Sequence, residues 1–151
     1  MKFHHQAHVV YTTQYHIVWI PKFRRKVLIP GVKQYFEKVM DSYLIDRYPD
    51  VLLLKRSVQP DHIHLLLEIP PKYSVSQIVG AIKANTSRVM RKKFPYLANS
   101  REMWSIGFFV STVGLNAQLI RKYIENQETQ DKGQAELEFH EDTAGGAERS
   151  P

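Results

Sequence analysis

The chain predicts an antiparallel α+β domain, with helices on one face of the sheet and one more helix at its C-terminal end. Three observations carry that expectation. Runs rich in Val, Ile, Tyr, Phe, Trp and Thr recur at residues 8–20, 51–69 and 104–113, which favours strands. Apolar residues recur at spacings of three and four over residues 32–44 and 75–90, the period of a helix with one buried stripe. Pro60-Asp61 interrupts the middle run with turn chemistry, so that run is a hairpin. Strand, helix, two strands, helix, strand is the ferredoxin-like order.

Each element has its own reason. His4 and His5 fall in a start that looks loose, and residues 8–20 then read as one strand closed by Pro21. Val32, Tyr35, Phe36, Val39, Met40, Tyr43 and Leu44 form the first helical stripe, with Pro30 before it and Pro49 after it. Ser74 and Gln77 are spaced as a capping box for the second helix, whose far end gathers Arg88, Arg91, Lys92 and Lys93. Residues 104–113 read as a strand in which Gly107 marks a bulge or a close approach. Gly114 ends it, and a third helix follows from residue 115 to about residue 127. Two amphipathic helices would cover one face of the sheet and leave the other open.

The chain has 151 residues, with 43% hydrophobic and 24% charged, which suits one folded domain with a real core. It contains no cysteine, so disulfides, thiolate metal sites and cysteine nucleophiles are excluded. No apolar run approaches a membrane span and no signal-type stretch opens the chain, so a cytoplasmic protein is expected, with no membrane partner. The net charge of +6 is unevenly spread. Residues 128–151 hold seven acids and two bases, leaving residues 1–127 with 19 bases and 8 acids, a net +11. So basic a body points to a polyanion, most often nucleic acid. The expected division is a folded domain at residues 1–131 and an acidic, disordered tail at 132–151.

Two constellations could carry chemistry. His62 and His64 stand at i and i+2 of a strand whose alternate residues Ile63, Leu65, Leu67 and Ile69 are apolar. His62, His64 and Glu68 therefore point to the open face, with the imidazoles about 7 Å apart by strand rise. Such a pair can converge on a divalent ion, although H-x-H alone is a weak signal. On the last helix, Tyr123 and Gln127 are four residues apart and share one face. Arg121 and Lys122 flank the tyrosine in sequence, which is expected to help lower its phenol pKa.

Together these segments resemble the single-tyrosine HUH transposases that move insertion sequences as single-stranded DNA, the TnpA type. The resemblance rests on YHIVWIPKFRR (15–25), QPDHIHLLLEIP (59–70), WSIGFFVSTVG (104–114) and IRKYIENQ (120–127), in the family's order. It covers about residues 8–128, and the H-hydrophobe-H strand followed about 60 residues later by Y-x-x-x-Q is its specific part. The resemblance implies that Tyr123 attacks a phosphodiester of single-stranded DNA and forms a 5′-phosphotyrosine. It also implies that His62, His64 and Gln127 hold Mg²⁺ or Mn²⁺. The implied partner is single-stranded DNA with hairpins at the element ends, bound by a homodimer whose active sites are shared between subunits. Lys22, Arg24, Arg25, Lys26, Lys83, Arg88, Arg91, Lys92, Lys93 and Lys122 are the candidates for gripping that DNA.

Two other readings start from the same residues. A non-catalytic nucleic-acid binder on an open ferredoxin-like sheet would display aromatics on its central strands. The hairpin strand displays His62, His64 and Glu68 instead, and no glycine-aromatic RNA-binding pattern is present. A domesticated relative that processes chromosomal repeat hairpins would share all of the chemistry above.

Overall fold

The structure is a computed structural model. It describes the backbone of residues 4–6, 9–11, 13–99 and 102–149, and the side chains of residues 13–98 and 102–134. The main sheet has four antiparallel strands: β3 (Gln14–Trp19), β4 (Leu52–Gln59), β5 (His62–Glu68) and β6 (Phe109–Ser111), in the order β4-β5-β3-β6. Helix α1 (Val32–Arg47) connects β3 to β4, and α2 (Val75–Lys93) connects β5 to β6. This is the expected ferredoxin-like arrangement, and α3 (Ala117–Arg149) follows it.

The local signals explain most of these elements. The Ser74 hydroxyl accepts the Gln77 N–H at 3.0 Å and starts α2. Gly31, at φ +93, starts α1 in a backbone region open to glycine, and its N–H donates to the Gln34 side chain. In β5, Ile63, Leu65 and Leu67 are buried on one face. They meet Phe36, Met40 and Leu44 of α1 and Ile78, Val79, Ile82 and Met90 of α2 in one core. Burying each such side chain contributes roughly 1.5–3 kcal/mol, so the alternation of β5 fixes which face the histidines occupy. Trp104 belongs to this core, and its indole N–H donates to the Thr86 hydroxyl at 3.1 Å.

Several expectations are corrected. Residues 8–20 do not form one strand: β1 (His4–Gln6) pairs with β2 (Val9–Tyr11) as a separate ribbon, and β3 begins at Gln14. The backbone of His4 and His5 is therefore paired strand rather than a loose start. No Gly or Pro marks the break. It coincides with Thr13, whose hydroxyl and carbonyl both bond the backbone of Ile69.

The strand expected over 104–113 is confined to Phe109–Ser111. Gly107 takes φ +87 and turns the chain, so Trp104 is left in an isolated bridge to Pro21. The second face of the sheet is also not fully open. Val18, Ile20 and Ile124 of α3 are buried there, outside the main core, and Glu68 is only 2% exposed. Finally, α3 runs to Arg149, past the end near residue 127 that was expected of the third helix. Gln134, Ala135, Glu136, Leu137 and Glu138 are good helix formers even without an apolar stripe.

Candidate active site

His62 and His64 lie on the face of β5 opposite the core, as the alternation requires. His62 follows the Pro60-Asp61 turn directly, and its Nδ1 is 3.0 Å from the Asp61 carboxylate. A carboxylate only accepts, so Nδ1 carries a proton, and in the neutral tautomer of this ring the lone pair falls on Nε2. The other Asp61 oxygen accepts Arg24 Nε at 2.9 Å. Burial opposes ionisation of Asp61, but the bonds from His62 and Arg24 prevail and hold its carboxyl below the usual range.

His64 Nε2 lies 3.2 Å from Nδ1 of His16, a third histidine brought in by β3. Burial, and then the nearby His16 and His62, depress the His64 pKa. The neutral ring is thereby favoured, which is the form able to ligate a metal.

The strand register carries this face toward the tyrosine helix. His64 pairs with Val18, and Val18 pairs with Phe109 on the next strand. Paired residues share a face, so Phe109 stands on the histidine face two strands over, roughly 10 Å away. The Tyr123 ring packs on Phe109 with centroids 5.6 Å apart. Its hydroxyl is buried, with no hydrogen-bond partner among the described residues. Burial, and then the Asp131 carboxylate, push the phenol up to about 12. That reverses the expected lowering by Arg121 and Lys122, which are exposed and turned away from this face.

Gln127 is 8% exposed, and its amide donates to the Ser105 hydroxyl at 2.7 Å and the Ile106 carbonyl at 2.8 Å. Its nitrogen is thus committed to the segment before β6, leaving the carbonyl oxygen as its only ligand atom. Among the described residues, no three His, Asp or Glu side chains surround a common point. Asp131, one turn beyond Gln127, is 2% exposed; it accepts the Phe23 N–H at 3.0 Å and the Ser105 hydroxyl at 2.8 Å. Tyr123, Gln127 and Asp131 thus form one stripe at intervals of four that faces the body.

The ten basic candidates divide into three groups. Lys22 is paired with Glu102 and Asp131, and Arg24 with Asp61 and Glu128. Lys83 donates to the carbonyls of Ser105 and Gly107, and its burial lowers its pKa to about 8. These three hold the fold together rather than standing free for phosphate. Arg91 is half-buried, with its Nε enclosed. Arg25, Lys26, Arg88, Lys92, Lys93 and Lys122 are exposed, with Arg88 bonded to Asn85 and Lys93 lying over the Tyr35 ring.

Sequence reasoning missed His16, Asp61, Ser105 and Asp131. Asp61 adjoins His62 and Asp131 continues the four-residue spacing from Gln127, so both left a trace in the sequence. His16 and Ser105 left none, because only the β3–β5 register and the Gly107 turn bring them in.

The pattern of the family described as transposase IS200 like matches residues 9–127. The chain belongs to that family. It is 36% identical over 129 residues to the transposase for insertion sequence element IS200 of Salmonella typhimurium, covering 83% of this chain and 84% of that one. It is 30% identical over 122 residues to the ISDra2 transposase TnpA of Deinococcus radiodurans, covering 78% and 86%. A crystallised Deinococcus radiodurans chain described as a transposase superposes with a TM-score of 0.73 at 30% identity, covering 84% of this chain and 98% of that one. The protein is an IS200-type transposase with an α+β fold. Among its described residues, no helix is long and apolar enough to cross a membrane.

Proposed function

We propose that this IS200-like transposase nicks and rejoins single-stranded DNA at insertion-sequence ends through a 5′-phosphotyrosine on Tyr123. The observation that carries the reading is the line His64–Val18–Phe109, which places the Tyr123 helix on the histidine face of the same sheet. The phenolic oxygen attacks phosphorus, the bond to the 3′ oxygen breaks, and that oxygen leaves as a 3′-hydroxyl. The phosphodiester is exchanged for a phosphotyrosine bond, so attack by a 3′-hydroxyl restores a DNA strand without an external energy source.

His62 and His64 fit a divalent cation, Mg²⁺ or Mn²⁺. One ring is oriented by Asp61 with Nε2 left free, and the environment of the other favours its neutral form. The Gln127 carbonyl is the third donor in this reading. A bound cation supplies Lewis-acid chemistry, neutralising charge that develops on the phosphate oxygens. Imidazole donors suit Mn²⁺ better than Mg²⁺.

Tyr123 is held over Phe109 rather than beside the histidines, so attack requires the ring to leave that packing. A homodimer in which the histidine pair of one subunit faces the tyrosine helix of the other is the assembly this reading carries. Arg25, Lys26, Arg88, Lys92, Lys93 and Lys122 would hold the DNA hairpins through phosphate contacts.

The test is cleavage of labelled single strands from the DNA flanking the protein's gene, with Mg²⁺ or Mn²⁺ present. His62→Ala and His64→Ala should each lose cleavage while keeping most hairpin binding. A variant as active as wild type would remove its histidine from the metal role.

A further inference from the structure

We propose that Asp61 and Arg24 form a positioning pair that sets the metal-facing nitrogen of His62 and ties it to the tyrosine helix through Glu128. The proposal rests on the metal reading of His62 given above. Both Asp61 oxygens are engaged, one with His62 Nδ1 at 3.0 Å and the other with Arg24 Nε at 2.9 Å. Arg24 continues the chain of contacts, its Nη1 lying 3.6 Å from Glu128. Glu128 directly follows Gln127 and lies five residues beyond Tyr123.

The backbone is built to deliver this contact. Phe23 and Arg24 take φ +59 and +54, a left-handed conformation that side chains with a Cβ rarely adopt. Such strain persists only where the surroundings hold it. Here the Phe23 N–H donates to Asp131 and the Arg24 N–H to Pro21 O. Arg24 is thus turned back toward Asp61 and Glu128 by contacts from α3 and from its own turn. A guanidinium lying between two carboxylates is a poor phosphate grip but a good brace.

The chemical consequence concerns the tautomer. With Asp61 accepting from Nδ1, the proton stays there and the Nε2 lone pair is available to a cation. Without that acceptor the imidazole is free to rotate or to carry its proton on Nε2. Arg24 keeps the carboxylate aligned, and the position of α3 acts on Arg24 through Glu128.

The experiment is Mn²⁺ titration of the full chain, following the free-ion electron paramagnetic resonance signal, with melting recorded in the absence of metal. Asp61→Ala should weaken Mn²⁺ binding by about 10–100-fold, the range for such supporting groups, at nearly unchanged melting. Arg24→Met should weaken it less, and Arg24→Lys should recover part of that loss. In a His62→Ala background, Asp61→Ala should have no further effect. Glu128→Gln should shift affinity by about two- to threefold in the wild-type chain and not in Arg24→Met.

If His62→Ala loses Mn²⁺ while Asp61→Ala binds as tightly as wild type, the positioning pair is overturned and the metal reading stands. If His62→Ala binds as tightly as wild type, both fall. Equal losses from Asp61→Ala with and without His62 would also overturn the pair. An equal effect of Glu128→Gln in both backgrounds would cut the link to α3. Should Asp61→Ala fail to fold, Arg24→Met against Arg24→Lys makes the same comparison.

Discussion

The Tyr123 ring rests 5.6 Å from that of Phe109, and its enclosed hydroxyl has no hydrogen-bond partner among the described residues. A phenol pushed up to about 12 is almost wholly protonated at neutral pH. Its reactive phenolate therefore grows with pH, by about tenfold per unit while the pH stays below that value. Single-turnover cleavage should rise across about pH 7–9 with a log-rate slope near one. A flat profile would mean that the tyrosine leaves this environment, or gains a base, before attack.

Asp131 ties the tyrosine helix to the body through Phe23 N–H and the Ser105 hydroxyl. Asp131→Ala should cost roughly 2–3 kcal/mol in denaturant unfolding, since the buried Ser105 hydroxyl and the part-buried Phe23 N–H lose their acceptor. It should also lower the Tyr123 pKa, because a nearby negative charge is removed. A tyrosine-selective NMR titration would follow the second effect. A chain ending at Lys132 keeps the anchor, so it should melt within a few degrees of the full chain. Ending it at Gln130 should lower the melting temperature clearly.

The exposed cations should behave differently from the internally paired ones. Lys26→Ala and Lys92→Ala should weaken hairpin binding, and each should reduce the salt slope by about 0.7–0.9 if its ammonium neutralises one phosphate. Lys83→Ala should leave that slope unchanged and lower stability instead, because Lys83 holds the Ser105 and Gly107 carbonyls. Binding at several salt concentrations, with melting alongside, separates the two groups.

Much of this was legible in the sequence, and the exceptions share a cause. The alternation in β5 and the Ser74 cap are local patterns, and they placed His62, His64 and α2 correctly. The expected lowering of the Tyr123 pKa failed because Arg121 and Lys122 are neighbours along the chain but not around a helix. Successive residues turn by about 100°, so Asp131, two turns on, shares the tyrosine's face while the flanking bases do not. Lys22, Arg24 and Lys83 looked free for the same reason, since their partners come from distant segments. Gly107 was recognised as special, but its +87° φ cuts the expected strand rather than bulging it. His16 is an ordinary strand residue until β5 pairs alongside it.

Whether active sites are shared between subunits is open to a mixing experiment. Heterodimers of Tyr123→Phe with His62→Ala subunits should regain part of the activity if one subunit's tyrosine serves its partner's histidines. No recovery in heterodimers shown to form would place each site within one chain.

The covalent link between Tyr123 and DNA is the step on which the proposed chemistry stands. Purified protein is incubated with 5′- and 3′-labelled single strands from the DNA flanking its gene, with Mn²⁺, and run on a denaturing gel beside Tyr123→Phe. The expected result is a metal-dependent adduct carrying only the strand on the 3′ side of the cut, absent from Tyr123→Phe although that variant still binds the hairpin. Cleavage that persists in Tyr123→Phe, or an adduct that maps to another residue, would contradict it.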